Sequence, residues 1–272
     1  MKLREALAQS ALVPVDGRAL LAHVLDRDRA WLLAHADDEL ARVDAEAFFA
    51  LAKRRRDGEP VAYLTGRREF WGLDLAVTPA VLVPRPETET LVEALLERLP
   101  IDRPANVLDL GTGSGAIAFA IASERPLARV LATDASSDAL DVARGNAQRL
   151  GLRNVEFLRS DWYADVPPQR FDAIASNPPY VATGDPHLSE GDLRFEPRIA
   201  LSPGGDGLGA LRAIVAGAPA RLAADGVLAV EHGYDQSAAV ERLFEAAGFA
   251  SVGVRRDLAG IPRVVRGERP AA

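Results

Sequence analysis

Apolar residues in the first part of the chain recur at helical spacing. Leu3 and Ala6 share one helix face, and Phe48 and Ala52 share another. No alternating run long enough for a strand interrupts this part of the sequence. The pattern predicts a small helical domain over residues 1–70.

The pattern changes at the end of that domain. Residues 70–77 alternate apolar and polar positions around a glycine, which predicts a hairpin inside a linker over residues 71–84. The segment Pro84-Arg85-Pro86-Glu87-Thr88-Glu89 then opens a helix, with Thr88 as the predicted N-cap residue. The main domain is therefore predicted to cover residues 85–272.

After residue 104, short apolar runs alternate with helical stretches. Strands are predicted over Asn106–Leu110, Arg129–Thr133, Val155–Arg159, Phe171–Ser176, Val227–Glu231, Ser251–Arg256 and Arg263–Arg266. Helices are predicted over Ala116–Ser123, Ser137–Leu150 and Leu208–Ala223. Such alternation is typical of an α/β fold, in which a parallel sheet is covered by helices on both faces.

Composition excludes several kinds of protein. The 272 residues are 48% hydrophobic and 26% charged, which is ordinary for a globular protein. Cysteine is absent and the four histidines lack ligand spacing, so we expect neither disulfides nor a metal site. No apolar run reaches the roughly 18 to 20 residues of a membrane span, and the N-terminus lacks the apolar core of a signal peptide. We therefore expect a cytoplasmic protein without membrane contact.

Charge argues against a general nucleic-acid binder. The net charge of −7 is the wrong sign for stable phosphate contacts, although a local basic patch is still possible. The one basic run, residues 53–56, is interpreted as the end of a helix, where cations favour the helix dipole. Contact with nucleic acid or a ribosomal partner is the alternative for this run.

A glycine-rich turn follows the first predicted strand of the sheet. Asp109 precedes the loop of residues 111–115, and Asp134 ends the next strand, where its carboxylate could accept both hydroxyls of a ribose. The glycines are spaced G-x-G-x-G rather than G-x-G-x-x-G, and an acidic residue before the loop suits a cationic methionine better than a pyrophosphate. The loop therefore favours S-adenosylmethionine over a nicotinamide dinucleotide.

A polar and aromatic segment follows the third predicted strand. In Ser160-Asp161-Trp162, the polar side chains could reach an adenine amino group and Trp162 could cover the ring. The alternative is that Trp162 is a core residue that closes a turn at the strand end.

The tetrapeptide Asn177-Pro178-Pro179-Tyr180 follows the fourth predicted strand. The side-chain carbonyl of Asn177 and the backbone carbonyl of Pro178 could both accept hydrogen bonds from one –NH2 group, and Tyr180 offers a flat face. Two acceptors on one –NH2 would direct its nitrogen at an electrophile about 3 Å away. This arrangement predicts methyl transfer to an amide or an aryl amine, driven mainly by positioning and electrostatics.

These segments together resemble the bacterial protein-(glutamine-N5) methyltransferases of the HemK/PrmC family, which modify peptide chain release factors. The similarity runs through Glu69-Phe70-Trp71-Gly72, Pro84 to Glu89, Asp109 to Gly115, Asn177 to Tyr180, Arg194-Phe195-Glu196-Pro197 and Glu231-His232-Gly233. It implies a class I S-adenosylmethionine-dependent methyltransferase fold. That fold is Rossmann-like, with a mostly parallel seven-stranded sheet, an antiparallel strand near the C-terminus and a small N-terminal helical domain that docks the protein substrate.

The resemblance also implies residue roles. The cofactor would contact Gly111, Thr112, Gly113, Ser114, Gly115, Asp134, Trp162 and Asn177, with S-adenosylhomocysteine as its product. Asn177, Pro178, Pro179 and Tyr180 would receive the glutamine of the release factor's Gly-Gly-Gln loop, with Asn177, Pro178 and Tyr180 in catalytic roles. We expect a monomer.

Three alternatives use the same residues differently. An adenine N6-methyltransferase shares the Asn-Pro-Pro-Tyr motif, but the acidic balance and the lack of a target-reading insert argue against it. A nicotinamide-dependent oxidoreductase conflicts with the glycine spacing. A non-catalytic cofactor-binding module would have no need of Asn177. His187 and Glu190 could line a substrate channel or cap a turn, and the turn is favoured.

Overall fold

The computed structural model describes residues 1–271, except for the side chain of His187. It separates into two compact units. The first unit contains Met1–Arg67 together with Ser189–Phe195, and the second unit contains the rest of the described chain. A segment that follows the tetrapeptide in sequence thus belongs to the unit formed by the N-terminal residues. Among the described residues, no helix combines the length and the apolar character needed to cross a membrane.

The first unit is helical, as its apolar spacing predicted. Its helices are α1 (Leu3–Gln9), α2 (Pro14–Leu25), α3 (Arg29–Ala34), α4 (Arg42–Arg56) and α5 (Val61–Thr65). Ala6, Phe48 and Ala52 are fully buried and Leu3 is nearly so. Leu3, Ala6 and Phe48 belong to one apolar cluster. Helical periodicity therefore identified the buried faces of this unit.

The basic run ends α4, and its three arginines make contacts within the first unit. Arg55 donates to Asp16 at 2.7 Å and to Asp192 at 2.6 Å. Arg54 bonds to Glu59 and Arg56 to a backbone carbonyl of the same unit. These contacts support the structural interpretation of the run over a contact with nucleic acid.

A hairpin and a helix begin the second unit's fold. Strands β1 (Arg67–Phe70) and β2 (Leu73–Ala76) are joined by Trp71 and Gly72, which both have positive φ (54° and 70°), as in a type I′ turn. The hairpin thus begins three residues before the predicted Phe70. A 3-10 turn (Pro86–Thr88) then leads into α6 (Glu89–Leu96). Thr88 occupies the N-cap position as predicted, but its side chain makes no capping hydrogen bond.

The second unit contains a seven-stranded sheet with strand order β5-β4-β3-β6-β7-β9-β8. Its strands are β3 (Asn106–Leu110), β4 (Arg129–Asp134), β5 (Val155–Arg159), β6 (Phe171–Ser176), β7 (Leu222–Glu231), β8 (Ala250–Arg256) and β9 (Pro262–Glu268). Strands β3 to β7 pair in parallel, and β9 pairs antiparallel with both β7 and β8. The predicted fold class is confirmed.

Helices cover both faces of this sheet. The covering helices include α7 (Ala116–Glu124), α8 (Ser137–Leu150), α10 (Gly209–Gly217) and α11 (Ser237–Ala246). A short helix, α9 (Arg198–Leu201), and 3-10 turns at Pro186–Ser189, Gly191–Phe195 and Ala218–Ala220 are the remaining helical segments of the described chain. Val107 of β3 packs with α6, α7 and α8, whereas its neighbour Leu108 packs with α10 and α11. Because successive strand residues point to opposite faces, one short strand contributes to two cores.

One predicted helix ends early and one predicted strand starts early. The helix predicted over Leu208–Ala223 stops at Gly217, because Pro219 has no N–H to continue the hydrogen-bond ladder. Strand β7 begins at Leu222, which pairs with Phe171, and regular pairing resumes only at Val227. The interrupted pairing explains why the apolar pattern revealed only the second half of the strand.

Candidate active site

The candidate site lies where the strand order reverses. Strands β3 and β6 are neighbours, and their last residues, Leu110 and Ser176, are paired in register. The Ser176 hydroxyl donates to the Leu110 carbonyl at 2.7 Å. The glycine loop after β3 and the tetrapeptide after β6 therefore leave the sheet side by side. In open α/β sheets, ligands bind outside the carboxyl ends of the strands at this kind of position.

The glycine loop is held by the carboxylate at the end of the next strand. Asp134 accepts the Gly113 N–H through Oδ2 and the Ser136 N–H through Oδ1, both at 2.9 Å. Burial raises the pKa of Asp134, and these two backbone donors oppose the shift. An ionised carboxylate has about four acceptor sites, so both oxygens of Asp134 can still accept further hydrogen bonds, such as those from ribose hydroxyls.

A second carboxylate lies beneath the loop. Asp109 is fully buried, and its Oδ2 accepts the Thr112 hydroxyl at 2.7 Å. Its Oδ1 has no hydrogen-bond partner among the described residues. Burial raises the pKa of Asp109 to about 7, because a charged carboxylate without full hydrogen bonding is costly in an apolar interior.

A cleft of about 510 Å³ opens above the loop. Its lining includes Gly111, Thr112, Gly113, Ser114, Asp134, Ser136, Asp161, Trp162, Asn177, Pro179, Arg85, Thr88 and Ile199. A Cβ atom on Gly111 would lie 3.7 Å from the Trp162 ring, whereas one on Gly113 would meet nothing within 4 Å. The cleft thus offers loop backbone, a carboxylate and an aromatic ring, and this set fits a cationic nucleoside such as S-adenosylmethionine.

The position of Trp162 agrees in part with both interpretations of the sequence, namely contact with an adenine and a place in the core. It lines the cleft, and it also packs against the core beneath α10 and α11. Its φ of 48° is unusual for a large residue, and the turn is held by Ser160, whose hydroxyl donates to the Trp162 carbonyl at 2.8 Å. Contact of Trp162 with an adenine stays a prediction.

The four residues of the tetrapeptide occupy different environments. Asn177 and Pro179 line the cleft, whereas Pro178 is buried. The ring of Tyr180 packs against the core, and its hydroxyl donates to Glu231 Oε1 at 3.3 Å. Burial raises the pKa of Tyr180. Tyr180 is not among the described residues that line the cleft. A stacking role for its ring therefore stays a prediction.

An ion pair that sequence analysis missed joins two segments near the cleft. Arg85 donates to Glu196 Oε1 at 2.5 Å, and Glu196 Oε2 accepts the Val83 N–H at 3.1 Å. The Glu196 side chain is fully buried. Both segments resemble the HemK/PrmC family, but a pairing across 111 positions leaves no periodic signal in a single sequence.

Asn146 is a second missed residue. Its Nδ2 group donates to the carbonyls of Ala76 (3.0 Å) and Ser114 (2.9 Å), and its Oδ1 accepts the Ala76 N–H at 2.8 Å. It is fully buried within α8. A buried Asn in an otherwise amphipathic helix is the signal that could have identified it. Asn146 therefore ties strand β2 to the glycine loop.

Other candidate residues lie elsewhere. The side chain of His187 is outside the described part of the structure, and Glu190 is exposed in the segment assigned to the first unit. Within the described residues, no group of three or more acidic or histidine side chains is arranged to hold a metal ion.

Comparison with known proteins places the chain among methyltransferases. Residues 2–66 match the family model of the PrmC N-terminal domain, and residues 87–196 match that of the methyltransferase small domain. The release factor glutamine methyltransferase of Xylella fastidiosa (strain Temecula1) is 55% identical, with 97% of this chain and 96% of the relative covered. The Escherichia coli (strain K12) protein of the same name is 46% identical over 97% and 96% of the two chains.

A solved structure supports the fold. The T. thermophilus 16S rRNA N2 methyltransferase, determined in complex with AdoMet and guanosine, superposes with a TM-score of 0.56 at 24% identity. The match covers 75% of this chain and 49% of that chain. At this identity the likeness is evidence of shared architecture only.

Proposed function

The chain belongs to the family of release factor glutamine methyltransferases, and we propose that it methylates a glutamine side chain of peptide chain release factors. The methyl group comes from S-adenosylmethionine, and the acceptor is the N5 amide nitrogen of the glutamine in the Gly-Gly-Gln motif. The observation that carries the proposal is the position of Asn177. It lies in the cleft directly after β6, beside the glycine loop that follows β3.

The cofactor is proposed to bind along the glycine loop. Residues 111–115 would contact the cofactor through the surface of the loop, Asp134 would accept the ribose hydroxyls, and Trp162 would cover the adenine. When bound, S-adenosylmethionine supplies an electrophilic methyl group on a sulfonium, and S-adenosylhomocysteine is the product. The glycines at 111 and 113 leave space for close approach of a ligand, because the positions of their missing Cβ atoms are open to the cleft or to Trp162.

The residues of the tetrapeptide are proposed to orient the acceptor. An amide nitrogen is a weak nucleophile because its lone pair is delocalised into the carbonyl. The Asn177 side-chain carbonyl and the Pro178 backbone carbonyl would accept its two hydrogens and hold the nitrogen in line with the methyl group. The proton can leave after transfer, so no strong general base is needed. Positioning and electrostatics then supply the acceleration.

The domain roles are proposals of the same kind. Residues 1–70 would dock the release factor, residues 71–84 would act as a hairpin linker, and residues 85–272 would catalyse the transfer. The protein would act as a monomer in the cytoplasm, where translation ends, without stable binding to nucleic acid. The net charge of −7 is consistent with a protein substrate.

Methyl transfer from labelled S-adenosylmethionine to a purified release factor tests the proposal. A factor with alanine in place of the Gly-Gly-Gln glutamine is the matched control. We expect label on the first factor and none on the second. The Asn177→Ala enzyme should keep the thermal transition of the wild type and lose turnover by orders of magnitude. Label on nucleic acid and on neither factor would support an adenine methyltransferase instead.

A further inference from the structure

Thr88 sits at a helix N-terminus without capping it. A threonine in this position ordinarily accepts a backbone N–H of the first helical turn. Here Thr88 makes no such bond to α6, and its side chain is almost fully buried. Its hydroxyl is therefore available for another partner.

That partner is the side-chain amide of Asn177. Asn177 Nδ2 donates to Thr88 Oγ1 at 3.2 Å, across 89 positions of sequence. Both residues line the cleft. An asparagine amide has a donor end and an acceptor end, and these two ends exchange places if the group rotates by half a turn. With its donor end held by Thr88, Asn177 presents its carbonyl oxygen elsewhere.

The hydroxyl of Thr88 can either donate or accept, so a further group must decide its direction. Glu231, at the end of β7, is fully buried and accepts the Tyr180 hydroxyl through Oε1. Its Oε2 has no hydrogen-bond partner among the described residues. Burial raises the pKa of Glu231, and the nearby Thr88 hydroxyl favours the charged form. In its ionised form Glu231 only accepts hydrogen bonds, so it would attract the Thr88 proton and leave the lone pairs of the Thr88 oxygen for Asn177.

We propose that Thr88, backed by Glu231, is a positioning residue that orients the Asn177 amide with its carbonyl oxygen toward the acceptor nitrogen. This inference rests on the proposed function. If the amide turned over, its –NH2 group would face the –NH2 group of the substrate, and two donors would oppose each other. The orientation of Asn177 is thus what makes the tetrapeptide an acceptor site, and it depends on a residue far away in sequence.

Two substitutions separate this role from simple packing. Thr88→Val keeps the shape of the side chain and removes the hydroxyl, whereas Thr88→Ser keeps the hydroxyl and removes a methyl group. We expect Thr88→Val to lower kcat about ten- to a hundredfold, because an unheld amide samples the wrong orientation. The KM for S-adenosylmethionine should change by less than about threefold. Thr88→Ser should restore kcat to within about threefold of the wild type.

NMR spectroscopy measures the orientation of the Asn177 side-chain amide in the absence of substrate. In the wild type, the Asn177 side-chain N–H signals should show a hydrogen-bonded shift and slow exchange with water; Asn177→Ala identifies these signals by their loss. Thr88→Val should move the signals toward those of a free amide, and Thr88→Ser should leave them in place. If Thr88→Val does not fold, Glu231→Gln tests the same idea, because a neutral amide can donate to Thr88 and reverse its hydroxyl.

The outcomes are distinct. A Thr88→Val enzyme with wild-type kcat and unchanged Asn177 signals would overturn the inference and leave the proposed function standing. The same would follow if Thr88→Ser lost as much activity as Thr88→Val, because packing would then explain both. If the wild-type enzyme labels no release factor, the proposed function fails and the inference fails with it.

Discussion

Substitution of Gly115 by alanine should destabilise the second unit far more than the same change at Gly113. Gly115 is the N-cap residue of α7, with φ of 91°. A Cβ atom there would lie 2.1 Å from Cε2 and 2.2 Å from Cζ of Phe119. The Phe119 ring is fully buried in the core, so any movement away from the new atom would disturb packed neighbours. Gly113 also has positive φ (54°), but a Cβ atom there would meet nothing within 4 Å.

The two substitutions share the energetic cost of backbone strain, and only Gly115→Ala adds the cost of overpacking. Left-handed backbone strain costs an L-residue roughly 1 to 2 kcal/mol, and both variants incur it. Gly115→Ala adds overpacking of the core, which typically costs about 1 to 3 kcal/mol. We therefore expect a loss of roughly 2 to 5 kcal/mol in the free energy of unfolding for Gly115→Ala, against roughly 1 to 2 kcal/mol for Gly113→Ala.

Urea unfolding followed by far-UV circular dichroism measures the difference. The cofactor is left out, so that the measurement reports the loop and not the ligand. The transition midpoint of Gly115→Ala should fall clearly below that of Gly113→Ala, with similar slopes. Equal midpoints would show that the Phe119 ring moves aside for the new methyl group. They would refute the argument that contact with this ring requires glycine at position 115.

Three further changes test other contacts. Arg85→Ala should cost about 3 to 5 kcal/mol in urea unfolding, because it leaves the buried Glu196 carboxylate without its cation; a much smaller loss in the Arg85→Ala/Glu196→Gln double variant would confirm the cause, and equal losses would contradict it. Asn146→Asp should lower the thermal transition, because an acceptor would face the Ala76 and Ser114 carbonyls; an unchanged transition would argue against that role. The raised pKa of Asp109, about 7, means that the folded state binds its proton more tightly than the unfolded state. Its stabilising contribution is therefore complete at low pH and is lost as pH rises. The free energy of unfolding should fall by about 2 to 3 kcal/mol more between pH 5 and 8 in the wild type than in Asp109→Asn, and parallel pH profiles would exclude this origin.

Local patterns determined most of the elements. The strands Asn106–Leu110, Val155–Arg159 and Phe171–Ser176 and the helix Ser137–Leu150 have the predicted bounds. Their signals are runs of apolar residues or helical spacing, and each is contained within the element itself. The glycine loop could be located in the same way, because the residues that form its turn are five consecutive positions of the sequence.

Contacts between distant segments were decided by the tertiary structure. No local pattern indicates that Thr88 binds Asn177 instead of capping its helix, that Arg85 pairs with Glu196, or that Tyr180 turns toward Glu231. Tyr180 and Glu231 follow or end the neighbouring strands β6 and β7, whereas Thr88, Arg85 and Glu196 lie in segments outside the strands. Periodicity reports which face of a strand is buried, but the neighbour of a strand depends on the packing of the whole sheet. The sequence by itself therefore determined the chemistry available at the site, and the tertiary structure decided how that chemistry is oriented.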